Sequence, residues 1–474
     1  MLTTSVSDLS VKTWFCKLWE YFGVGGRLAY LALLVAIPWA WGSAPHWAAE
    51  RVLPWLLGVT FLGVLGGMLA GLRRTVGWLV PLLGAAVLAY GWTMALHPLP
   101  YRDPIFEVYD SAGKELHYLD DAMAWGTRDP SSSMSVMLRL TGLALAFLIS
   151  ANLASRRSWG RALMITLAAN GALLSLYGLI QKADRDYLGI WEGRVLPTSV
   201  FGPFWYHANA AAFLELCWPL AAVLMFQALR IRWYGNQASR IIWVLATLAM
   251  AAGFFVNISR AGHILFLGQA MLLPVGLFWI GRQAGSHDEQ PVSAKAGGML
   301  FVLLAGGVVA IAASFGWENA WQRWPGGEQQ ESNVLRLEVY RYCWNMLPKA
   351  GWLGIGPGAF DAVFATAPLE NIPKPRGHWV YAHNDYLQYA LEWGVVGGAM
   401  LMLLVSAAVW KLISRMSHLR RQHSTLRATT LWAIMVALGA VAAHGLVDFP
   451  LQILSIQLYV VTLLGAGVAR SLEN

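Results

Sequence analysis

The sequence predicts an all-α protein that crosses a membrane many times, and three observations support this prediction. Of the 474 residues, 57% are hydrophobic and 13% are charged, whereas soluble domains average roughly 25% charged residues. Apolar runs of bilayer-spanning length recur along the chain. The 25 tryptophans fit a protein with many membrane interfaces, where aromatic rings collect. These features exclude a soluble enzyme.

Apolar runs separated by polar stretches predict about twelve membrane spans, since an α-helix needs about 20 residues to cross the hydrocarbon core. The predicted spans are residues 28–45, 52–71, 75–96, 135–154, 161–180, 208–228, 241–257, 262–281, 297–315, 386–411, 427–446 and 450–469. The longest polar stretch, residues 316–385, follows the ninth span. Loops of this length usually carry structure and function of their own, so we expect a large, partly helical loop there.

Basic residues mark one side of this arrangement. Clusters such as Arg156-Arg157, Arg230-x-Arg232 and Arg420-Arg421 follow every second predicted span. Because Lys and Arg in short loops favour the cytoplasmic side, we expect both termini in the cytoplasm and residues 316–385 on the outer side. The net charge of +8 then reflects this bias and does not indicate a nucleic-acid partner.

These features divide the chain into three parts. They are a cytoplasmic N-terminus at 1–27, N-terminal membrane helices at 28–206 with outer loops 97–134 and 181–207, and a candidate catalytic region at 207–470 that includes the outer loop 316–385. Within that large loop an amphipathic helix is predicted over residues 334–346, and a glycine at residue 351 ends it. Its predicted apolar face is Val334, Leu337, Tyr340 and Trp344.

The motif His383-Asn384-Asp385 opens the tenth predicted span. Asn or Asp at this position caps a helix, and the positive end of the helix dipole favours Asp385. Capping explains neither His383 nor Glu392, which shares a face with Asp385 and Gln388 and is an ionisable residue inside an apolar span. Because histidine can take a proton from a hydroxyl near neutral pH, His383 is the candidate base. Asn384, Asp385 and Glu392 are candidate substrate-binding residues.

Three arginines are predicted on the outer side. Arg260 lies in a very short turn, and Arg336 and Arg341 lie in the large loop. A guanidinium forks onto phosphate oxygens, so the three are candidate ligands of a diphosphate. Two alternatives stay open: Arg260 snorkels from the end of a span, and Arg341 lies on a solvated helix face.

Other motifs carry weaker signals. Gly354-x-Gly356-x-Gly358 follows no strand and fits a tight turn that brings the backbone close to a ligand or a helix better than it fits a nucleotide site. His207 opens the sixth span, where core packing or capping is as good an interpretation as substrate contact. His444 and Asp448 lie near the turn between the last two spans, where a cap or a structural pair is the favoured interpretation.

One ordered pattern joins many of these residues. It runs through Ser259-Arg260-Ala261-Gly262, Arg336, Gly354-x-Gly356-Pro357-Gly358-x-Phe360, His383-Asn384-Asp385-Tyr386-Leu387-Gln388 and Glu392-x-Gly394, with flanking segments Phe201-Gly202-Pro203, Asn209 and His444-Gly445-Leu446-Val447-Asp448-Phe449. The combination resembles the O-antigen ligase and O-antigen polymerase superfamily over roughly residues 200–465.

The resemblance implies a metal-independent, inverting glycosyltransferase with a GT-C-like membrane fold and no cofactor. Such enzymes take a glycan from undecaprenyl diphosphate at the periplasmic face of the bacterial inner membrane. Polymerases pass it to another lipid-linked repeat unit, ligases to lipid A–core, and related members to protein. In this family, arginines matching Arg260 and Arg336 hold the diphosphate and the histidine matching His383 activates the acceptor hydroxyl. Arg341 has no clear counterpart. The long loop at 97–134 favours a polymerase of O-antigen or exopolysaccharide.

Two other classes stay open. A lipid-linked sugar transporter or flippase carries charges along a path near the bilayer midplane and often has repeated halves. Here the charged candidates gather at one surface and the sequence shows no repeat. A metal-dependent glycosyltransferase would use the acidic pair in Asp184-Arg185-Asp186, a triplet short enough to arise often by chance. Sensitivity to a chelator distinguishes this class.

Overall fold

The computed structural model describes residues 6–68, 73–99, 125–184, 199–230, 237–282, 327–366 and 379–470. This part of the chain is helical and contains no β-sheet. In order, the helices are α1 (Val6–Trp39), α2 (His46–Met68), α3 (Arg73–Val76), α4 (Leu79–Ala95), α5 (Pro130–Ala154), α6 (Arg157–Ala183), α7 (His207–Arg230), α8 (Gln237–Val256), α9 (Arg260–Arg282), α10 (Gly327–Ala350), α11 (Phe360–Thr366), α12 (Asp385–Arg421), α13 (Thr425–His444) and α14 (Leu454–Val468). One-turn 3-10 helices lie at Trp41–Ser43 and Pro450–Gln452.

The predicted class, a helical protein with many membrane-spanning segments, is confirmed. Eight of the described helices are long and apolar enough to cross a membrane, and three shorter apolar helices accompany them. Each of these helices overlaps one predicted span. The remaining predicted span, at residues 297–315, lies outside the described residues, so a total of about twelve spans stays a prediction.

Helix α7 lies at the centre of the bundle. Of its most apolar membrane-length window, 89% is buried, as expected for a helix that is apolar on all sides. Buried alanines recur along it, and such small side chains let α6, α8, α9 and α13 approach its backbone closely. One core contains residues from 30–64 and 143–174 together with residues from 201–277 and 433–466. The predicted N-terminal and catalytic regions therefore share a single core.

Contacts between helix termini define two ends of the bundle. Just before α9, Asn257 donates to the His207 carbonyl at the start of α7, at 2.9 Å. The backbone N–H of Asp385, the first residue of α12, donates to the Gly445 carbonyl just after α13, at 2.8 Å. The starts of α7, α9 and α12 and the end of α13 thus form one end, which we call the site end because it carries His383.

The opposite end, which we call the basic end, carries arginines from two separate polar stretches, one around the start of α6 and one around the junction of α12 and α13. Arg156, Arg157, Arg161, Arg415 and Arg427 lie around one cavity there. Two of the basic clusters that the sequence predicts on one side of the membrane therefore lie at the same end of the bundle. That this end faces the cytoplasm stays a prediction.

The structure corrects the predicted face of the helix in the large loop. Helix α10 covers the predicted residues, and Gly351 follows its end with a φ of 70°. However, Val334, Leu337 and Trp344 are exposed, whereas the buried face is Val339, Tyr342, Cys343 and Met346. This second face packs with α11 and the start of α12. Because α10 has apolar residues on two sides, helical spacing alone does not select the one that packs.

Candidate active site

The Asp448 carboxylate lies at the centre of a cluster of polar side chains at the site end. Asp448 sits in the turn between α13 and the Pro450–Gln452 helix and is only 3% exposed. Its Oδ1 lies 3.1 Å from His383 Nδ1 and accepts from the Phe449 backbone N–H at 3.0 Å. Its Oδ2 accepts from the Tyr206 hydroxyl at 2.9 Å. One buried carboxylate thus holds two side chains, His383 on one oxygen and Tyr206 on the other.

Arg336 joins the cluster from α10. Its Nη2 donates to the Tyr206 hydroxyl at 2.8 Å and lies 3.8 Å from Asp448 Oδ2. Among the described residues, Arg336 makes these contacts through Nη2 alone, and its side chain is 27% exposed. Within the described structure, Nη1 and Nε make no hydrogen bond that would compete with a ligand.

The charge states of the cluster follow from burial and neighbours. Burial raises the pKa of the Asp448 carboxyl, but the hydrogen bond with His383 and the positive charge of Arg336 lower the pKa below its ordinary value. Burial lowers the pKa of Arg336, but Tyr206 and Asp448 raise it more. Burial and then Asp448 raise the pKa of Tyr206 well above its ordinary value. Near neutral pH the cluster therefore holds a carboxylate, a guanidinium and a neutral phenol.

The backbone of His383 has a conformation that few residue types adopt. Its φ is 52°, in the left-handed region that L-residues other than Gly, Asn, Asp and His rarely occupy. Its carbonyl accepts from the Tyr340 hydroxyl, and its ring stands edge-on to Phe449 and Trp379. Its side chain is 18% exposed. The residue is fixed on the Nδ1 side of the ring while remaining open to solvent, and backbone strain of this kind is typical of functional sites.

The two residues after His383 connect elements of the site end. Asn384 is the N-cap of α12: its Oδ1 accepts from the Leu387 N–H at 3.0 Å and its Nδ2 donates to the Leu446 carbonyl at 2.9 Å. Asp385 is buried, and its carboxylate accepts from the Leu451 N–H at 2.8 Å and from Gln452 Nε2 at 3.1 Å. Both side chains are therefore hydrogen-bonded to the segment around Asp448, at Leu446 for Asn384 and at Leu451 and Gln452 for Asp385. Their predicted contact with substrate stays a prediction.

Glu392 and the glycine motif form one module. Helix α12 is interrupted at Gly394, which has a φ of 62°. The backbone at Gly354 packs directly against this interruption. A Cβ at Gly394 would lie 2.3 Å from the Gly354 nitrogen, so only glycine fits there. The Glu392 carboxylate accepts from Gln388 Nε2 at 3.0 Å and from the backbone N–H groups of Gly358 and Phe360. The structure therefore supports the interpretation of a tight turn against a helix, and it places Glu392 as the buried anchor of that turn.

The remaining predicted site residues occupy different positions. Arg260 begins α9 next to the start of α7, and its side chain is half-buried. His207 begins α7, its ring lies against Tyr206 with 4.7 Å between centroids, and its buried Nδ1 has no hydrogen-bond partner among the described residues. Arg341 is exposed on α10. Two of the three candidate arginines thus belong to the partly buried site end.

In the part of the chain that the structure describes, no cluster of three or more His, Cys, Asp or Glu side chains is arranged to hold a metal ion. Asp184 follows α6, while Arg185 and Asp186 of the acidic triplet lie outside the described residues.

A second histidine–carboxylate pair lies deeper in the bundle. His444 Nδ1 is 2.8 Å from Glu215 Oε1, and both side chains are fully buried. His444 ends α13 and Glu215 lies in α7, so the pair joins these two helices. Within the described residues, His444 Nε2 and Glu215 Oε2 have no hydrogen-bond partner.

Sequence reasoning missed Tyr206, Glu215 and the role of Asp448. For His444 and Asp448 the sequence favours a helix cap or a structural pair, but the structure pairs each of the two with a different residue. Tyr206 immediately precedes His207 and gave no signal of its own. Glu215 had the clearest available signal, because it is a carboxylate inside an otherwise apolar span.

Comparison with known families bears on the same residues. A family model described as O-antigen ligase matches residues 245–402. The matched range begins in α8 and ends in α12, so it includes Arg260, Arg336 and His383 but neither Tyr206 nor Asp448. No curated protein matches the chain.

Proposed function

We propose that the protein is an inverting membrane glycosyltransferase, because residues 245–402 match a family model described as O-antigen ligase. It transfers or polymerises a glycan carried on undecaprenyl diphosphate, at the periplasmic face of the bacterial inner membrane. His383 is the general base, Asp448 orients it, and Arg336 and Arg260 bind the donor diphosphate.

The base step follows from the His383–Asp448 contact. An ionised carboxylate only accepts hydrogen bonds, so Nδ1 of His383 carries the proton and Nε2 presents a lone pair. The acceptor hydroxyl gives its proton to Nε2 as its oxygen attacks the anomeric carbon. Asp448 then stabilises the imidazolium that forms, at 3.1 Å. Attack from the face opposite the leaving group inverts the anomeric configuration.

The leaving-group step uses the arginines. As the bond from the anomeric carbon to the diphosphate oxygen breaks, negative charge grows on the diphosphate. Guanidinium groups that already point to that position stabilise the charge without reorganising. Arg336 offers Nη1 and Nε for this purpose, and Tyr206 with Asp448 holds its Nη2. Arg260, at the neighbouring start of α9, supplies a second cation.

One observation carries the proposal: Asp448 joins the base and the donor-binding cation through its two oxygens. Such an arrangement sets the distance between the acceptor and the donor, which is the main geometric need of a transfer between two lipid-linked substrates. If His383 only belonged to a helix cap, or if Arg336 lay on a solvated helix face, no shared carboxylate between the two would be needed.

The arginine roles are tested with purified protein and lipid-linked donor. We expect Arg336→Ala and Arg260→Ala each to abolish transfer while the protein still accumulates in the membrane. The Lys variants should recover only part of the activity, because Lys keeps the charge but loses the bidentate fork. Full activity of the Ala variants would remove the diphosphate role. Loss of activity on adding a chelator would instead favour the metal-dependent class.

Polymerase and ligase activities are separated in a strain that lacks the protein. We favour a polymerase of O-antigen or exopolysaccharide, because the loop at 97–134 is long for a simple ligase. Loss of long chains, with single repeat units still attached to their normal acceptor, identifies a polymerase. Loss of all attached glycan, with lipid-linked polymer accumulating, identifies a ligase acting on lipid A–core or on protein.

The orientation is tested by cysteine labelling in a background without the three native cysteines. We expect Glu328→Cys, in the large loop, to react with a membrane-impermeant reagent added from outside the inner membrane. Reaction only after the inner membrane is breached would reverse the orientation and with it the periplasmic location of the reaction.

A further inference from the structure

A cavity of about 340 Å³ lies at the basic end, on the far side of the bundle from His383. Five arginines line it: Arg156, Arg157, Arg161, Arg415 and Arg427. Among the described residues, its lining contains no Asp or Glu. A cavity of this size is large enough for a small ligand, and its charge requires an anion.

Two helix starts converge on the same cavity. Helix α6 starts beside Arg156 and helix α13 starts beside Ser424, and both of these N-cap residues line the cavity. Neither N-cap side chain bonds to the first turn of its helix. Backbone N–H groups in the first turns of both helices, together with the hydroxyl of Thr425, are donors that suit the oxygens of a phosphate.

Arg415 provides an observation independent of the helix starts. Its Nη1 atom is buried, yet among the described residues this atom has no hydrogen-bond partner. A buried donor on a charged group that lacks a partner is costly, and the cost is removed when an anion binds. This buried Nη1 of a half-buried arginine is therefore a donor that an anion in the cavity would satisfy.

The position of the cavity indicates the form of that ligand. The part of helix α12 that follows its interruption at Gly394 runs to Arg421, so at about 1.5 Å per residue this part alone is longer than a hydrocarbon core of roughly 30 Å. Its last turns, which carry Arg415, therefore reach the level of lipid head groups. The same cavity is lined by Met164, Leu224, Leu431 and Ile434 on its apolar side. Polar and apolar linings together suit a head group with its attached chains.

We propose that this cavity binds a phosphate or diphosphate group, carried by an anionic lipid. The site is separate from the proposed transfer reaction: α13, of 20 residues, runs from the cavity to the catalytic cluster, and a helix of that length spans about 30 Å. A positive-inside bias explains basic residues at this end, but it does not explain why they surround one cavity that two helix starts also face.

The test measures lipid binding to the full chain in detergent by native mass spectrometry, with phosphatidylglycerol as the probe and phosphatidylcholine as the neutral reference. We expect Arg415→Gln/Arg427→Gln to bind phosphatidylglycerol roughly ten- to hundredfold more weakly than the unaltered protein. The matched control is Arg421→Gln/Arg470→Gln, which removes two exposed charges at the same end without touching the cavity lining. This control should bind as the unaltered protein does.

Equal weakening in the two double variants would overturn the proposal, because it would mean general attraction to a basic surface. Inorganic diphosphate distinguishes the sources: displacement of phosphatidylglycerol shows a site that also accepts the free anion, and no displacement shows a lipid-borne phosphate. Should Arg415→Gln/Arg427→Gln fail to accumulate, Arg156→Gln tests the same cavity with one charge removed. Unchanged binding in that variant counts against the site.

Discussion

Two histidine–carboxylate pairs lie at the site end of the described structure, and they have the same chemistry. In each, the histidine Nδ1 meets one carboxylate oxygen, at 3.1 Å for His383 and Asp448 and at 2.8 Å for His444 and Glu215. They differ in access: the His383 side chain is 18% exposed, whereas His444 and Glu215 are fully buried. They also differ in neighbours, since Arg336 and Tyr206 adjoin the first pair.

A bonded histidine–carboxylate pair is not sufficient for base catalysis, because the second ring nitrogen of the histidine must also reach the substrate. His383 meets this condition at a half-open position beside a cation, and His444 does not. The buried pair instead connects α7 to α13, and α13 leads directly into the turn that carries Asp448. One pair is proposed to act on substrate, and the other holds helices in place.

The largest expected effect concerns the exposed pair. His383→Asn removes the base but keeps a residue that tolerates the φ of 52°. We expect turnover to fall by about 10²–10⁴-fold, the usual contribution of a general base. The melting temperature should stay within a few degrees of the unaltered protein, as measured in detergent. Near-normal turnover per folded molecule would leave His383 a structural residue and move the search for a base to His207 or Glu392.

The next effect concerns the buried pair and is one of stability. Glu215→Leu leaves His444 buried without its partner, and breaking a buried pair in this way costs about 3–5 kcal/mol. We expect a large fall in thermal stability, with turnover per folded molecule preserved. The double variant Glu215→Leu/His444→Leu should recover part of the lost stability. A Glu215→Leu protein that folds normally but has lost turnover would erase the contrast between the two pairs.

Asp448→Asn tests how the exposed pair is oriented. The amide keeps the shape of the carboxylate, but it can also donate to Nδ1 and so stabilise the wrong tautomer of His383. We expect turnover to fall by about 10²-fold, at the lower end of the range for loss of a general base. Donor binding, measured separately, should weaken much less. A fall confined to donor binding would assign Asp448 to Arg336 rather than to His383.

The smallest effect is expected at Arg341, which is exposed on the same helix as Arg336. Arg341→Gln should leave transfer within about twofold of the unaltered protein, because exposed charges interact weakly through solvent. It is the matched control for Arg336→Gln, which removes the same charge from the cluster. A loss as large as that of Arg336→Gln would show that Arg341 contacts the donor after all.

The helical membrane class was predictable from the sequence, and so was the position of His383 at a helix start, because both rest on local signals; the role of His383 stays a prediction. Apolar runs of span length need no tertiary information, and His383 is conspicuous beside Asn384 and Asp385 at a helix start. The glycine motif was also interpreted correctly as a tight turn against a helix. These predictions required only short-range geometry and composition.

The partners of these residues were not predictable in the same way. Asp448 is far from His383 in the chain, and only the packing of α12 against α13 brings them to 3.1 Å. Periodicity identified a helix in the large loop but selected the wrong face, since Val339 and Cys343 pack inside while Leu337 is exposed. Which of two apolar faces is buried depends on the neighbours of a helix, and a single sequence does not reveal them.

The interruption of α12 has a consequence for anyone who maps function by saturation mutagenesis. The backbone segments at Gly354 and Gly394 are so close that a Cβ at either position would lie within about 2.5 Å of a backbone atom of the other segment. Atoms in real packed structures do not come this close. Nearly every substitution there should abolish activity, as substitutions of His383 should. A survey scored only by glycan output would therefore rank these glycines as catalytic. Counting the molecules that reach the membrane separates the two kinds of position: variants at the glycines should be scarce, and variants at His383 abundant and inactive.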